Sequence, residues 1–242
     1  MMLRTLGIVK GALLTGKQRN FLTRRLDGKS VLEWVVRQMT DCQLLSGVVV
    51  VADEGESGDI VGELTPIDVP VCRTKAKDTI AMLQDTLEQF STYSCLLIGC
   101  DWPFIDPTIF DRLVRAAELQ TECDYSAFQF TNEIFSVGRP YGLFPEWYRS
   151  ATLRKIAGKL DDPIYRNLPG TFFLDNKNKY KVELLPVPTS IDRKDMRFTF
   201  DDEDDWDNII ELHDALNLDV LDCQKISSLL DSRDQRNILK VL

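Results

Sequence analysis

The stretch GVVVVAD, residues 47–53, decides the fold. Four consecutive valines leave no polar face, and such a β-branched run closed by an aspartate is the pattern of a strand buried on both faces of a parallel sheet. A second run of the same kind, SCLLIGCD at 94–101, also closes on an aspartate, Asp101. Working outward, residues 3–9 predict a first strand. SVLEWVVRQMTDC (30–42), DTIAMLQDTLEQFSTY (78–93) and PTIFDRLVRAAELQ (107–120) carry apolar residues at helical spacing, the last opened by Pro107 in its first turn. This strand, helix, strand rhythm predicts an α/β protein with a doubly wound, mainly parallel sheet and with ligands beyond the carboxyl ends of the strands.

Residues 124–190 break the rhythm with Gly, Pro and aromatic residues in shorter pieces: DYSAFQF (124–130), GRPYGLFPEWYRSATLRKI (138–156) and YKVELLPVP (180–188). They predict a small inserted substrate lobe. The order is expected to return at MRFTF (196–200), a strand that runs through DDEDD (201–205) into a helix, WDNIIELHDAL (206–216). One domain is expected over 1–220, with 221–242 a C-terminal helical tail that has an apolar stripe and no evident chemistry.

The 242 residues suffice for one large α/β domain with a sizeable core. An apolar fraction of 44% with 28% charged residues is that of a soluble globular protein, and no run is long enough to span a bilayer. MMLRTLGIVKGALL lacks the form of a secretory signal, so the expected compartment is the cytoplasm. The six cysteines, Cys42, Cys72, Cys95, Cys100, Cys123 and Cys223, show neither C-x-x-C nor zinc-ligand spacing and read as buried thiols. A net charge of −9 argues against a nucleic-acid partner.

The basic residues are nonetheless uneven, because Lys10, Lys17, Arg19, Arg24, Arg25 and Lys29 crowd the segment after the first strand. A Gly- and cation-rich loop at that place suits a small anion, while a solvated surface loop has the same composition. It is no P-loop: Gly11, Gly16 and Lys17 fit G-x-x-x-x-G-K-[ST], but Gln18 stands where a magnesium-binding hydroxyl belongs. Two further readings stay open for the acidic strand ends. Asp101 and Asp201 sit where carboxylates can share Mg²⁺ with substrate phosphates, yet Asp101 also suits a turn before Pro103, and Asp201 or Asp202 suits a helix N-cap. The lone histidine, His213, falls on a helix and is expected to pack or solvate it.

Taken in order, several segments resemble the nucleotide-sugar cytidylyltransferases, in particular the spore-coat polysaccharide branch related to CMP-Kdo synthetase. They are DGKSVLEWVV (27–36), CRTKAKD (72–78), LIGCDWPFIDPTIFDRLV (97–114), DYSA (124–127), PYGLFPEWYRSATL (140–153) and RKDMRFTFDDEDDWDNI (193–209). The resemblance implies a Rossmann-like sheet of the GT-A nucleotide-diphospho-sugar transferase type. It implies transfer of a nucleotidyl group from a nucleoside triphosphate, CTP first, to a sugar or sugar acid for surface-polysaccharide synthesis, with Mg²⁺ as cofactor. By the same resemblance, Asp101 and Asp201 hold the metal. Gly11, Ala12, Thr15, Gly16, Arg73 and Asp78 frame the nucleotide, Lys17 and Arg19 supply catalytic charge, and Arg139, Tyr141 and Glu146 face the acceptor. Such relatives pair as dimers, and the tail after residue 220 is available for that contact or for packing on its own sheet.

One segment departs from the family. Laid on its first loop, A-R-x-x-S-x-R-L-P-G-K, this chain has Ala12 for the first Arg, Lys17 for the second, and Phe21 for the Lys. Loss of preorganised charge weakens a phosphate-transfer site. A second reading therefore stands beside the first: a weakened or inactive relative that serves as a nucleotide-, sugar- or protein-binding module.

Overall fold

The computed structural model describes residues 3–131, 135–139, 141–193, 197–200, 202–216, 225 and 227–228. Its centre is a seven-stranded sheet in the order β5-β4-β1-β6-β8-β7-β9. The strands are β1 (Leu3–Lys10), β4 (Gly47–Asp53), β5 (Val71–Thr74), β6 (Thr92–Gly99), β7 (Tyr125–Gln129), β8 (Glu146–Arg149) and β9 (Val182–Pro186), and the short pair β2 (Arg25–Leu26) and β3 (Lys29–Ser30) forms a separate hairpin. Only β8 runs against its neighbours in the large sheet; every other pairing is parallel. The chain steps from β1 outward to β4 and β5 and then returns to β6 on the other side of β1. That reversal puts a topological switch point, the usual ligand crevice, at the carboxyl ends of β1 and β6.

The valine run explains the layers. Val48 and Val50 enter one core with helices α2 (Val31–Thr40), α5 (Pro107–Leu119) and α9 (Glu203–Leu216), whereas Val49 and Val51 enter the other with α4 (Thr79–Gln89), α6 (Ser150–Ala157) and α8 (Pro169–Asp175). Helix α3 (Glu56–Leu64) joins the first core through Val61, and α7 (Pro163–Asn167) precedes α8. Among the described residues no helix is long and apolar enough to cross a membrane.

Two sequence expectations change here. The basic segment after β1 is not all loop, since α1 (Gly16–Leu22) is nucleated by a capping box in which the Thr15 hydroxyl accepts from Gln18 N and Gln18 Oε1 accepts from Thr15 N. The expected strand at 196–200 does not form over residues 197–200. Its alternation is real, but Phe198 packs edge-on against Phe104 and Phe200 against Phe21 and Trp206, so the period-2 pattern is satisfied by core contacts without a ladder. Residues 124–190 contribute β7, β8 and β9 to the same sheet together with α6, α7 and α8. The expected tail lies almost wholly outside the described residues.

Candidate functional site

The first loop is held from below. Gly11 N donates to the carbonyls of Val9 and Val51, and a Cβ at Gly11 would strike both Val51 O and the Val61 side chain, so only glycine lets the chain cross β4 so closely. Leu13 adopts φ 63°, an uncommon conformation for a leucine, and its N–H is received by the Asp53 carboxylate at 3.1 and 3.3 Å. Between them the Ala12 side chain turns into the second core at 0% exposure. Thr15 is committed to the cap of α1, and Gly16 has open space around it.

Most of the cations in this segment are already engaged. Arg19 donates to Leu14 O at 2.7 Å, and Arg25 to Gly28 O. Arg24 forms a two-bond pair with Glu203 and lies 4.4 Å over the Phe21 ring, while Lys29 lies 4.5 Å over Trp34. Lys17 is exposed on α1. Phe21, aligned with a family lysine, is 3% exposed in the core.

The residues expected around a nucleotide beyond β5 also have structural partners. Arg73 donates to Asp53 O at 3.2 Å, pairs with Asp59 at 3.2 Å, and lies where Gly58 and Gly62 of α3 leave room for its guanidinium. Asp78 caps α4 by accepting from Ala81 N at 2.9 Å and pairs with Arg166. His213 packs edge-on against Trp34 at 6.0 Å. Of the six cysteines, five are buried free thiols and Cys223 lies outside the described residues.

At the switch point a cavity of about 180 Å³ opens between the ends of β1 and β6 and the start of β8. Arg139, Tyr141 and Glu146, the three residues expected to face an acceptor, all line it. So do Lys10, Thr79 and Trp102, of which Lys10 is, by sequence alone, only one charge of the basic segment. The signal that could have found it is positional, because Lys10 is the last residue of β1. Its ammonium donates to Thr79 Oγ1 at 2.9 Å; burial lowers its pKa, opposed by the nearby Cys100, Asp101 and Glu146. Across the cavity, Glu146 Oε2 accepts from Tyr125 and Tyr148 at 2.8 and 2.6 Å, and burial raises its pKa.

Asp101 follows β6 at the edge of this cavity. Gly99 lacks the side chain that would collide with Asp101 Oδ1 and Trp102 Nε1, so both fold back over the strand end. Among the described residues no three His, Cys, Asp or Glu side chains gather to hold a metal unaided. A single strand-end carboxylate in such a cradle suits a hard divalent ion that keeps waters and arrives with a substrate's phosphates, rather than one held by protein side chains alone. Asp201, the other expected ligand, lies outside the described residues.

A doubly wound sheet with a charged cavity at its switch point is the arrangement in which open α/β proteins bind ligands. The family model of the MobA-like NTP transferase domain matches residues 18–166, and the chain belongs to that family. The match begins inside α1, within the divergent segment and after Ala12 and Lys17. Among solved structures, the chain is similar to a cytidylyltransferase from Leptospira borgpetersenii serovar Hardjo-bovis (TM-score 0.75, 18% identity, 98% of this chain and 96% of that one). It is also similar to a CMP:2-keto-3-deoxy-manno-octonic acid synthetase complexed with CTP (TM-score 0.60, 11% identity, 76% and 90%). A Mycobacterium tuberculosis H37Rv protein complexed with manganese matches with TM-score 0.61 and 16% identity over 87% of this chain and 100% of that one. An uncharacterized protein of Methanocaldococcus jannaschii is 22% identical over 234 residues, 96% of this chain and 93% of that one. These likenesses fix the fold, and the family model makes the domain a nucleotidyltransferase domain.

Proposed function

We propose that the protein transfers a cytidylyl group from CTP to a hydroxyl of a sugar or sugar acid destined for surface polysaccharide, as in the spore-coat branch. The observation that carries this reading is the cavity in which Arg139, Tyr141 and Glu146 meet beside Asp101 at the switch point. In the reaction the acceptor hydroxyl gives up its proton to solvent as its oxygen attacks the α-phosphorus, and pyrophosphate leaves with the electron pair of the broken P–O bond. The protein's part is to align the two substrates and neutralise charge. Asp101, with Asp201, would hold Mg²⁺, which when bound supplies Lewis-acid neutralisation of the phosphates. The first-loop backbone at Gly11 to Gly16, with Arg73 and Asp78, frames the nucleotide, and Lys17 and Arg19 complete the charge around its phosphates. Pyrophosphate release with CTP, Mg²⁺ and a panel of sugars and sugar acids tests the reading, with the other nucleoside triphosphates as controls. Asp101→Asn should lower the rate at least about 100-fold in a variant whose circular dichroism matches the parent's. An active Asp101→Asn variant would remove the carboxylate from the site.

A second reading is favoured by a specific observation: Arg19, Arg24 and Arg25 are spent on structural partners, and Ala12 is buried. Under it the chain binds the nucleotide without turning it over. CTP binding by calorimetry with no pyrophosphate release from any acceptor would establish that alternative.

A further inference from the structure

Two opposite charges share the cavity without pairing. Lys10 and Glu146 project from the same face of the sheet, the face whose core holds Ile8, Tyr125 and Tyr148. Lys10 pairs in register with Gly99 of β6, and Glu146 with Leu97 of the same strand, so one strand separates them. Their backbones are therefore about 12 Å apart, two strand spacings across the sheet and two residues along it. The Lys10 ammonium makes one hydrogen bond, to Thr79, and among the described residues no carboxylate reaches ion-pairing distance from it. Glu146 is pinned by one oxygen only: both tyrosine hydroxyls donate to Oε2, and no described residue donates to Oε1.

The pinning is built from several parts. Tyr125 stacks on Phe173 at 5.1 Å and 9°, which fixes one phenol, and Tyr125 and Tyr148 are themselves in ring contact at 5.1 Å. Gly170, near the start of α8, is bare where a Cβ would collide with both Glu146 Oε2 and the Tyr125 hydroxyl. An immobilised carboxylate with one saturated and one unused oxygen is a directional hydrogen-bond acceptor. Leaving it and an ammonium short of partners in a cavity is costly unless a ligand or water completes them.

Resting on the transferase reading, we propose that Lys10 and Glu146 are the two poles that select the acceptor: Glu146 Oε1 receives a hydroxyl proton's hydrogen bond, and Lys10 Nζ binds an anionic oxygen of the same molecule. The acceptor is thus a hydroxylated anion, its charge a carboxylate or a phosphate. The pair confers discrimination rather than chemistry, since a site built for a hydroxyl and an anion is left with unpaired groups by an analogue that lacks either.

The test uses Lys10→Met and Glu146→Gln, which keep side-chain length, in the full chain. Pyrophosphate release from CTP is measured with D-glucuronate, glucose 6-phosphate and glucose as acceptor probes, and binding of the same three probes is measured by calorimetry. The parent should prefer one of the anions to glucose by about 10- to 100-fold in acceptor KM or Kd, and which anion wins separates carboxylate from phosphate. Lys10→Met should abolish that preference, and Glu146→Gln should raise KM or Kd for the charged and the neutral probe by about tenfold or more, with CTP affinity within about twofold of the parent in both. Unchanged acceptor selectivity in both folded variants overturns the proposal. So does a loss of CTP affinity in Lys10→Met with acceptor preference intact, which would assign Lys10 to the triphosphate. If the parent releases no pyrophosphate but binds an anionic probe in a Lys10- and Glu146-dependent way, the transferase reading fails and the two-pole site stands; if it binds none of the probes, the two-pole site falls.

Discussion

Replacing Asp78 by alanine removes two interactions with one side chain. The carboxylate caps α4 through Ala81 N at 2.9 Å, and it receives Arg166 Nε and Nη2 at 2.8 and 3.1 Å. Arg166 in turn donates through Nη1 to Leu160 O at 2.9 Å and Ala157 O at 3.3 Å, so the pair ties the start of α4 to the end of α6 and to α7. Loss of an N-cap costs about 1 kcal/mol. The ion pair is intermediate between exposed and buried, with side chains 16% and 27% exposed for Asp78 and Arg166. Stranding the guanidinium therefore costs about 1–3 kcal/mol, less than for a fully buried pair. Together Asp78→Ala should lose about 2–4 kcal/mol, a fall in Tm of roughly 5–15 °C for a chain of this size.

Urea unfolding of Asp78→Ala, Arg166→Met and the double variant measures this directly. Arg166→Met keeps the cap and should lose about half as much, and the cycle should give a coupling of about 1–2 kcal/mol. The sequence resemblance placed Asp78 beside a nucleotide, and the same variants separate that role from the structural one. A stability loss below about 0.5 kcal/mol, combined with loss of CTP affinity, would refute the clamp reasoning and leave Asp78 with the nucleotide role alone.

Three other outcomes are expected. Restoring the family lysine with Phe21→Lys should destabilise by about 3 kcal/mol or more and not raise activity, because the ring packs 5.3 Å from Phe200 and supports Arg24; a stable, more active variant in melting and pyrophosphate assays would contradict this. Burial raises the pKa of Glu146, so the native state keeps a proton the unfolded chain releases, and stability should fall as pH rises from roughly 4.3 through the folded pKa and then level off. Glu146→Gln should match the parent at the acid end and exceed it above, in urea midpoints taken across that range; parallel curves would show that Glu146 does not titrate late. Burial also raises the thiols of Cys42, Cys72 and Cys100, holds Cys95 at about 12 and Cys123 at about 11, so these five should resist Ellman's reagent at about pH 8 until the protein unfolds. Rapid reaction of any of them in the native protein, resolved by peptide mapping, would count against the packed core.

The sheet was legible because its central strands are buried on both faces, and that condition leaves its mark directly on the sequence as GVVVVAD and CLLIG. Elements whose stability comes from elsewhere were not. Helix α1 has only seven residues and a basic surface, and its one local signature, Thr15 with Gln18 three positions on, is the capping box. Conversely, Phe198 and Phe200 alternate like strand residues but are fixed by aromatic partners 5.7 Å and 5.3 Å away, contacts that join positions far apart in the chain.

One wall of the cavity was legible for a related reason: Arg139, Tyr141 and Glu146 lie within eight positions of one another and meet there without help from a distant register. Lys10 shows the opposite case. In the sequence it is one of six cations in a basic stretch, indistinguishable by composition from Lys17 or Arg25. What distinguishes it is that β1 continues to residue 10, giving Lys10 the same facing as Leu6 and Ile8 and placing it in the cavity at the carboxyl end of the sheet. A strand one residue shorter would release that constraint, and one slip in the pairing with Gly99 would send the ammonium to the opposite core. The charge that shares the cavity with Glu146 is therefore set by register, and register is written jointly in β1, β4 and β6 rather than in the segment where the lysine stands.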